Sequence, residues 1–97
     1  MNKQFRFKLD YERYFNDLVR DLESSNLIAS VTVIDTQILR EKPRIEWRRY
    51  RAYLEHNVSN TKEFRHNLMN ELQVAVSPTP QDHTIEIIGV YRLKHFG

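Results

Sequence analysis

The chain has no cysteine among its 97 residues. That excludes disulfides, thiolate metal sites and a cysteine nucleophile, and it leaves the redox compartment open. Two glycines and three prolines leave no room for a flexible linker or a low-complexity tract, and the sequence shows no internal repeat. A glycine-rich phosphate loop is excluded as well, because Gly89 and Gly97 stand alone. No apolar run approaches the ~18 residues of a membrane span, and the start, MNKQFRFKLDY, lacks the apolar stretch of a signal peptide. These absences predict a soluble, cytoplasmic protein with no membrane partner.

The residues present describe one globular domain over residues 1–97. A composition of 40% apolar and 29% charged residues is a folding composition rather than a disordered one. A chain of this size buries roughly 65% of the surface its unfolded form exposes, which supports a single core without staples. The net charge is only +2, but it is unevenly spread. Between Arg40 and Arg51, six basic residues face two acidic ones for a local charge of +4, so the remainder carries −2. One segment therefore holds all the positive excess.

Hydrophobic spacing divides the chain into elements. QFRFKL alternates strictly, with Phe5, Phe7 and Leu9 opposite Gln4, Arg6 and Lys8, which predicts a half-buried first strand. Asp10 then occupies a helix N-cap position, and Tyr11, Tyr14, Phe15, Leu18, Val19 and Leu22 recur at helical spacing until SSN at 24–26. The β-branched run from Ala29 to Leu39 predicts a second strand, closed by a turn at REKP. Asn60, with Glu63 three residues on, offers a capping-box start for a second helix carrying Phe64, Leu68, Leu72 and Ala75. SPTPQDH breaks that helix, and TIEIIGVYRL predicts the last strand.

The segment RIEWRRYRAYLEHN, residues 44–57, fits two periods. A helix would gather Trp47, Tyr50 and Leu54 on one face, whereas a strand would set Tyr50, Ala52 and Leu54 against Trp47, Arg49, Arg51 and Tyr53. Aromatic content and the preceding turn favour the strand, although arginine, alanine and leucine are good helix formers. The predicted order is then β-α-β-β-α-β: an α+β two-layer, ferredoxin-like sandwich with two helices on one face of a four-stranded antiparallel sheet.

That arrangement leaves one sheet face bare. Alternation assigns Trp47, Arg49, Arg51 and Tyr53 to it, beside Arg6 and Lys8, with Ile88, Val90, Arg92 and Lys94 from the last strand. Tryptophan, tyrosine and arginine together are the residue types that dominate protein–protein hot spots. The expected function is therefore a non-enzymatic binding or regulatory protein. Its partner would be a second copy or a larger protein, one that handles nucleic acid being an option. The alternative is sequence-tolerant binding of RNA or single-stranded DNA, with bases stacked on Trp47 or Tyr53 and arginines on phosphates. Against it, RIEWRRYRAYLEH lacks the glycines and regularly placed aromatics of the RNA-recognition module, which shares this strand order. A third outcome is a bulge that slips the phase, turning the aromatics inward and leaving a solvated arginine face.

Catalytic and metal chemistry find little support in the spacing. His56, His66, His83 and His95 lie ten, seventeen and twelve residues apart, without paired ligand spacing. Asp10 ends the predicted first strand where some small nucleases hold a metal, but its N-cap role already explains it. LDYER stands where an acylphosphatase would carry a phosphate-cradling loop. No cofactor, small molecule or metal is expected.

Overall fold

A computed structural model describes the backbone of residues 3–93 and the side chains of residues 10–93. Six elements succeed one another: α1 (Lys3–Glu23), β1 (Ile28–Leu39), β2 (Arg44–Leu54), α2 (Lys62–Leu72), β3 (Ala75–Pro78) and β4 (Thr84–Leu93). The order is αββαββ, two consecutive α-β-β units. The strands form one antiparallel sheet in the order β1-β2-β4-β3, so the second strand of each unit is central and the two pair directly. The fold class is α+β with four antiparallel strands and two helices, but the expected βαββαβ order is not the one found.

The departure begins at residues 4–9, which are helix rather than strand. Phe7 also stands four residues before Tyr11, so the stretch satisfies the helical period as well as the alternating one. Glutamine, lysine, arginine and leucine favour a helix, and neither glycine nor proline separates the stretch from the helical run beyond Asp10. The result is one helix of 21 residues, about 31 Å long. Asp10 lies inside it, exposed, and is not an N-cap. Arg6 and Lys8 belong to α1 and not to the sheet.

The sheet stays four-stranded because a strand appears where none was expected. α2 ends at Gln73, whose backbone turns left-handed (φ 55°, ψ 45°), with its N–H bonded to the Met69 carbonyl. Ala75 therefore opens β3 instead of extending the helical stripe. Pro78, which has no N–H to donate, closes this short edge strand. At the other end of α2, Thr61 is the N-cap, accepting from the Phe64 N–H at 3.1 Å. Asn60, expected in that role, instead ties the preceding loop to the β3–β4 turn. Its side-chain amide donates to the Gln81 and Thr84 carbonyls at 2.9 and 3.1 Å.

Both helices cover the same side of the sheet. Tyr11, Phe15, Leu18 and Leu22 of α1 and Leu68 of α2 share a core with Tyr50, Ala52, Leu54, Val76, Ile85, Ile87 and Leu93. The inward assignment of Tyr50, Ala52 and Leu54 therefore holds. Gly89 also lies on this side, because α1 crosses it closely. A Cβ there would sit 2.7 Å from Leu18 Cδ2 and 3.2 Å from the Phe15 ring.

Candidate functional site

The candidate site is built on β2, whose alternation runs without interruption against β4 from Arg44↔Leu93 to Tyr53↔Thr84. The register shifts fall on the β1 side instead, between Ile28 and Ser30 and between Val33 and Asp35. No slip turns Trp47 or Tyr53 inward. The strand thus sorts its arginines by parity, and the +4 segment is split between two environments.

Arg44 and Arg48 go to the helix side. Arg48 bonds through Nη2 to Glu46 Oε1 at 3.1 Å, and its guanidinium stacks 4.6 Å above the Phe15 ring. Arg44 lies 5.8 Å from the Tyr11 ring. Glu46 is buried, which the sequence did not announce: its carboxylate is tolerated because Arg48 neutralises it under α1. Around this pair stand Tyr14, Tyr50 and Tyr91, with Tyr14 and Tyr91 ring centres 5.4 Å apart. Among the described residues the buried Tyr50 hydroxyl has no hydrogen-bond partner of good geometry. Burial raises its pKa above 10.0, partly offset by the nearby Arg48 charge. Tyr14 is raised by burial too, less the effect of a bond to the Val90 backbone.

Trp47, Arg49, Arg51 and Tyr53 go to the opposite side, which no helix covers among the described residues. Their cross-strand neighbours complete the surface. Trp47 lies between Gln37 and Val90, Arg49 between Asp35 and Ile88, and Arg51 between Thr32 and Glu86, while Tyr53 lies between Ser30 and Thr84, the last buried beneath Thr79. Ile45 lies between Leu39 and Arg92. Arg49 folds over the Trp47 ring, its guanidinium 5.8 Å from the ring centre. Of the residues assigned to this face from sequence, Trp47, Arg49, Arg51, Tyr53, Ile88, Val90 and Arg92 are brought together; Arg6 and Lys8 are not. Lys94 lies outside the described residues.

Two properties emerge that no single strand reveals. First, the arginines are not a bare cationic array, since Asp35 stands opposite Arg49 and Glu86 opposite Arg51. Second, Leu39, Ile45, Trp47, Val90, Ile88 and Ala75 form an apolar band that crosses all four strands. Leu39 and Val90 are 38% and 42% exposed, so the band meets solvent where a core would be expected to shield it.

Other parts of the molecule offer less. A cleft of about 260 Å³ opens between α1 and α2, lined by Leu22, Leu27, Phe64, Leu68 and Leu72 with Asp21 and Glu71 nearby. That is below the roughly 300–1,000 Å³ of typical small-molecule sites. His56, His66 and His83 are exposed, and His83 Nδ1 lies 2.6 Å from the Val58 carbonyl. His95 lies outside the described residues. Among the described residues no three histidine, aspartate or glutamate side chains gather at metal-holding distance, and no helix is long and apolar enough to cross a membrane. Compared with known proteins, the chain matches no family model, no curated sequence and no solved structure.

Proposed function

We propose that the protein is a non-enzymatic binding module whose uncovered sheet face docks another protein. The observation that carries this reading is the apolar band through Trp47, flanked by Arg49, Arg51, Tyr53 and Arg92, on a face that nothing in the described chain covers. A tryptophan stacked by arginine within a partly apolar, partly charged rim has the composition of an interface centre. Strands of 12, 11, 10 and 4 residues, about 4.8 Å apart, give a plan area of roughly 600 Å² per partner. Both sides together come to about 1,200 Å², the lower bound of a specific interface.

Nucleic acid is the weaker reading. Phosphate binding needs unopposed cations, whereas the two central arginines stand beside carboxylates. Trp47 is the only tryptophan, so its fluorescence separates the alternatives directly. Added oligonucleotide should leave its emission unchanged at both low and high salt. Strong quenching that fades steeply with salt would favour stacking on bases instead.

A photo-crosslinking amino acid placed at residue 47 or 90, in the cells the protein comes from, tests the docking face itself. Both positions should give a discrete protein adduct, while the same probe at His66 on the exposed side of α2 gives none. Equal, weak labelling at all three positions would refute a docking role for the sheet.

A further inference from the structure

Resting on that reading, we infer that the partner is a second copy of this chain, stacked sheet on sheet about a two-fold axis parallel to the strands and between β2 and β4. The basis is a property of the central strand pair. A two-fold axis in that position lays each β2 residue over the β4 residue that already neighbours it within its own chain. Complementarity across the strands becomes complementarity between copies.

The pairs suit this operation. Trp47 would lie over Val90 of the second copy, Arg51 over Glu86, and Ile45 over the alkyl stem of Arg92, in keeping with the register Trp47↔Val90, Arg51↔Glu86 and Ile45↔Arg92. Arg49 would meet Ile88 while its guanidinium stays over its own Trp47. No arginine faces an arginine. The alternative in-plane axis, perpendicular to the strands, lays β2 over β2 and brings Arg49 and Arg51 against their own kind, a repulsion that opposes association. Stacked sheets cross at about 30°, so with the crossing point at Arg49 the register is kept best by Trp47 with Val90 and Arg51 with Glu86, and it loosens towards Ile45 and Arg92. An isologous contact of this kind closes at two copies and leaves no free patch to propagate. In this stacking β1 lies over the four-residue β3 of the second copy, so the overlapping strands cover roughly 450 Å² per copy and about 900 Å² in all, the size of a weak, concentration-dependent dimer.

The charge pair supplies a test by complementation. Arg51→Glu sets carboxylate against carboxylate at both symmetry-related contacts between positions 51 and 86, and Glu86→Arg sets guanidinium against guanidinium there. Each variant alone should dissociate at least about tenfold more readily than the wild type in sedimentation equilibrium, since like charges at an interface are strongly disfavoured. Mixed one to one, the two variants restore opposite charges at both contacts, so a heterodimer should form with affinity close to wild type. Val90→Lys, at a position 42% exposed and off the core, should weaken the dimer by a similar factor. It remains informative if a charge variant fails to fold by circular dichroism.

A wild-type mass of 11.8 kDa at every concentration would overturn the inference. So would a dimer indifferent to all three substitutions, which would point to pairing along the exposed edge of β1. Crosslinking separates the two levels: an adduct of twice the chain mass supports the second copy. An adduct to a different protein sinks the dimer while keeping the docking face, and no adduct sinks both.

Discussion

Arg48 and Arg49 are adjacent in the chain and meet opposite surroundings, one stacked on Phe15 beneath α1 and the other half-buried over Trp47 on the uncovered side. Removing Arg48 leaves the buried Glu46 carboxylate unpaired. Arg48→Met should therefore cost about 3 kcal/mol, whereas the double change Glu46→Leu with Arg48→Met should cost less than about 1 kcal/mol. Arg49→Ala should change stability by no more than about 0.5 kcal/mol. Urea unfolding monitored by far-ultraviolet circular dichroism measures all three. Gly89 gives a second residue-scale prediction. Gly89→Ala presses its Cβ on Leu18 and the Phe15 ring at about 1 kcal/mol, and the two further methyls of Gly89→Val raise the cost to about 3 kcal/mol, in the same assay. Alternation marks Tyr50, Ala52 and Leu54 as core, because period two is local information. The burial of Glu46 is not legible in the sequence, since it depends on α1 lying above β2, a contact between distant segments.

At the scale of elements, long β-branched or alternating runs are enough to place β1, β2 and β4, which begin and end within a residue or two of expectation. The errors cluster where a short segment obeys two rules at once. Residues 4–9 alternate but also continue the helical spacing of α1, and continuity with an established helix wins because adding a turn costs less than starting one. β3 is hidden by the opposite problem, being four residues long and directly behind a helix. The left-handed backbone of Gln73 separates β3 from α2, a conformation glycine adopts without strain. Gln73→Gly should therefore stabilise the fold by about 1 kcal/mol, read as a higher urea midpoint with unchanged slope. A lower midpoint would show that the Gln73 amide bond to the Asn70 carbonyl, 2.8 Å long, matters more than the backbone.

For the whole molecule, the two helices and the central tyrosines make a buried interior over β2 and β4, while Val33 and Ile38 of β1 stay exposed on the same side, and the pH response should show it. Tyr14 and Tyr50 both ionise above 10.0 when folded, whereas the unfolded chain releases those protons near 10.0. Their contribution is thus intact below about pH 10 and is lost as pH rises through the folded values. The urea midpoint should fall across that range, and Tyr50→Phe should flatten the fall. The substitution should cost little at neutral pH, because the hydroxyl has at most a weak contact with Arg48 to lose.

The other side of the sheet is the part of the molecule left to a partner. Its composition is legible in the β2 segment, but its shape is not. The direct pairing of β2 with β4, which sets Glu86 beside Arg51 and Val90 beside Trp47, exists only once the strand order is known. The most direct test is acrylamide quenching of Trp47 measured together with sedimentation equilibrium over a dilution series. Trp47 should be shielded while the mass is twice 11.8 kDa and should become quenchable in step with its fall to that value. Quenching that stays constant while the mass changes, or a monomer with Trp47 accessible throughout, would contradict the two-fold stacking of this face.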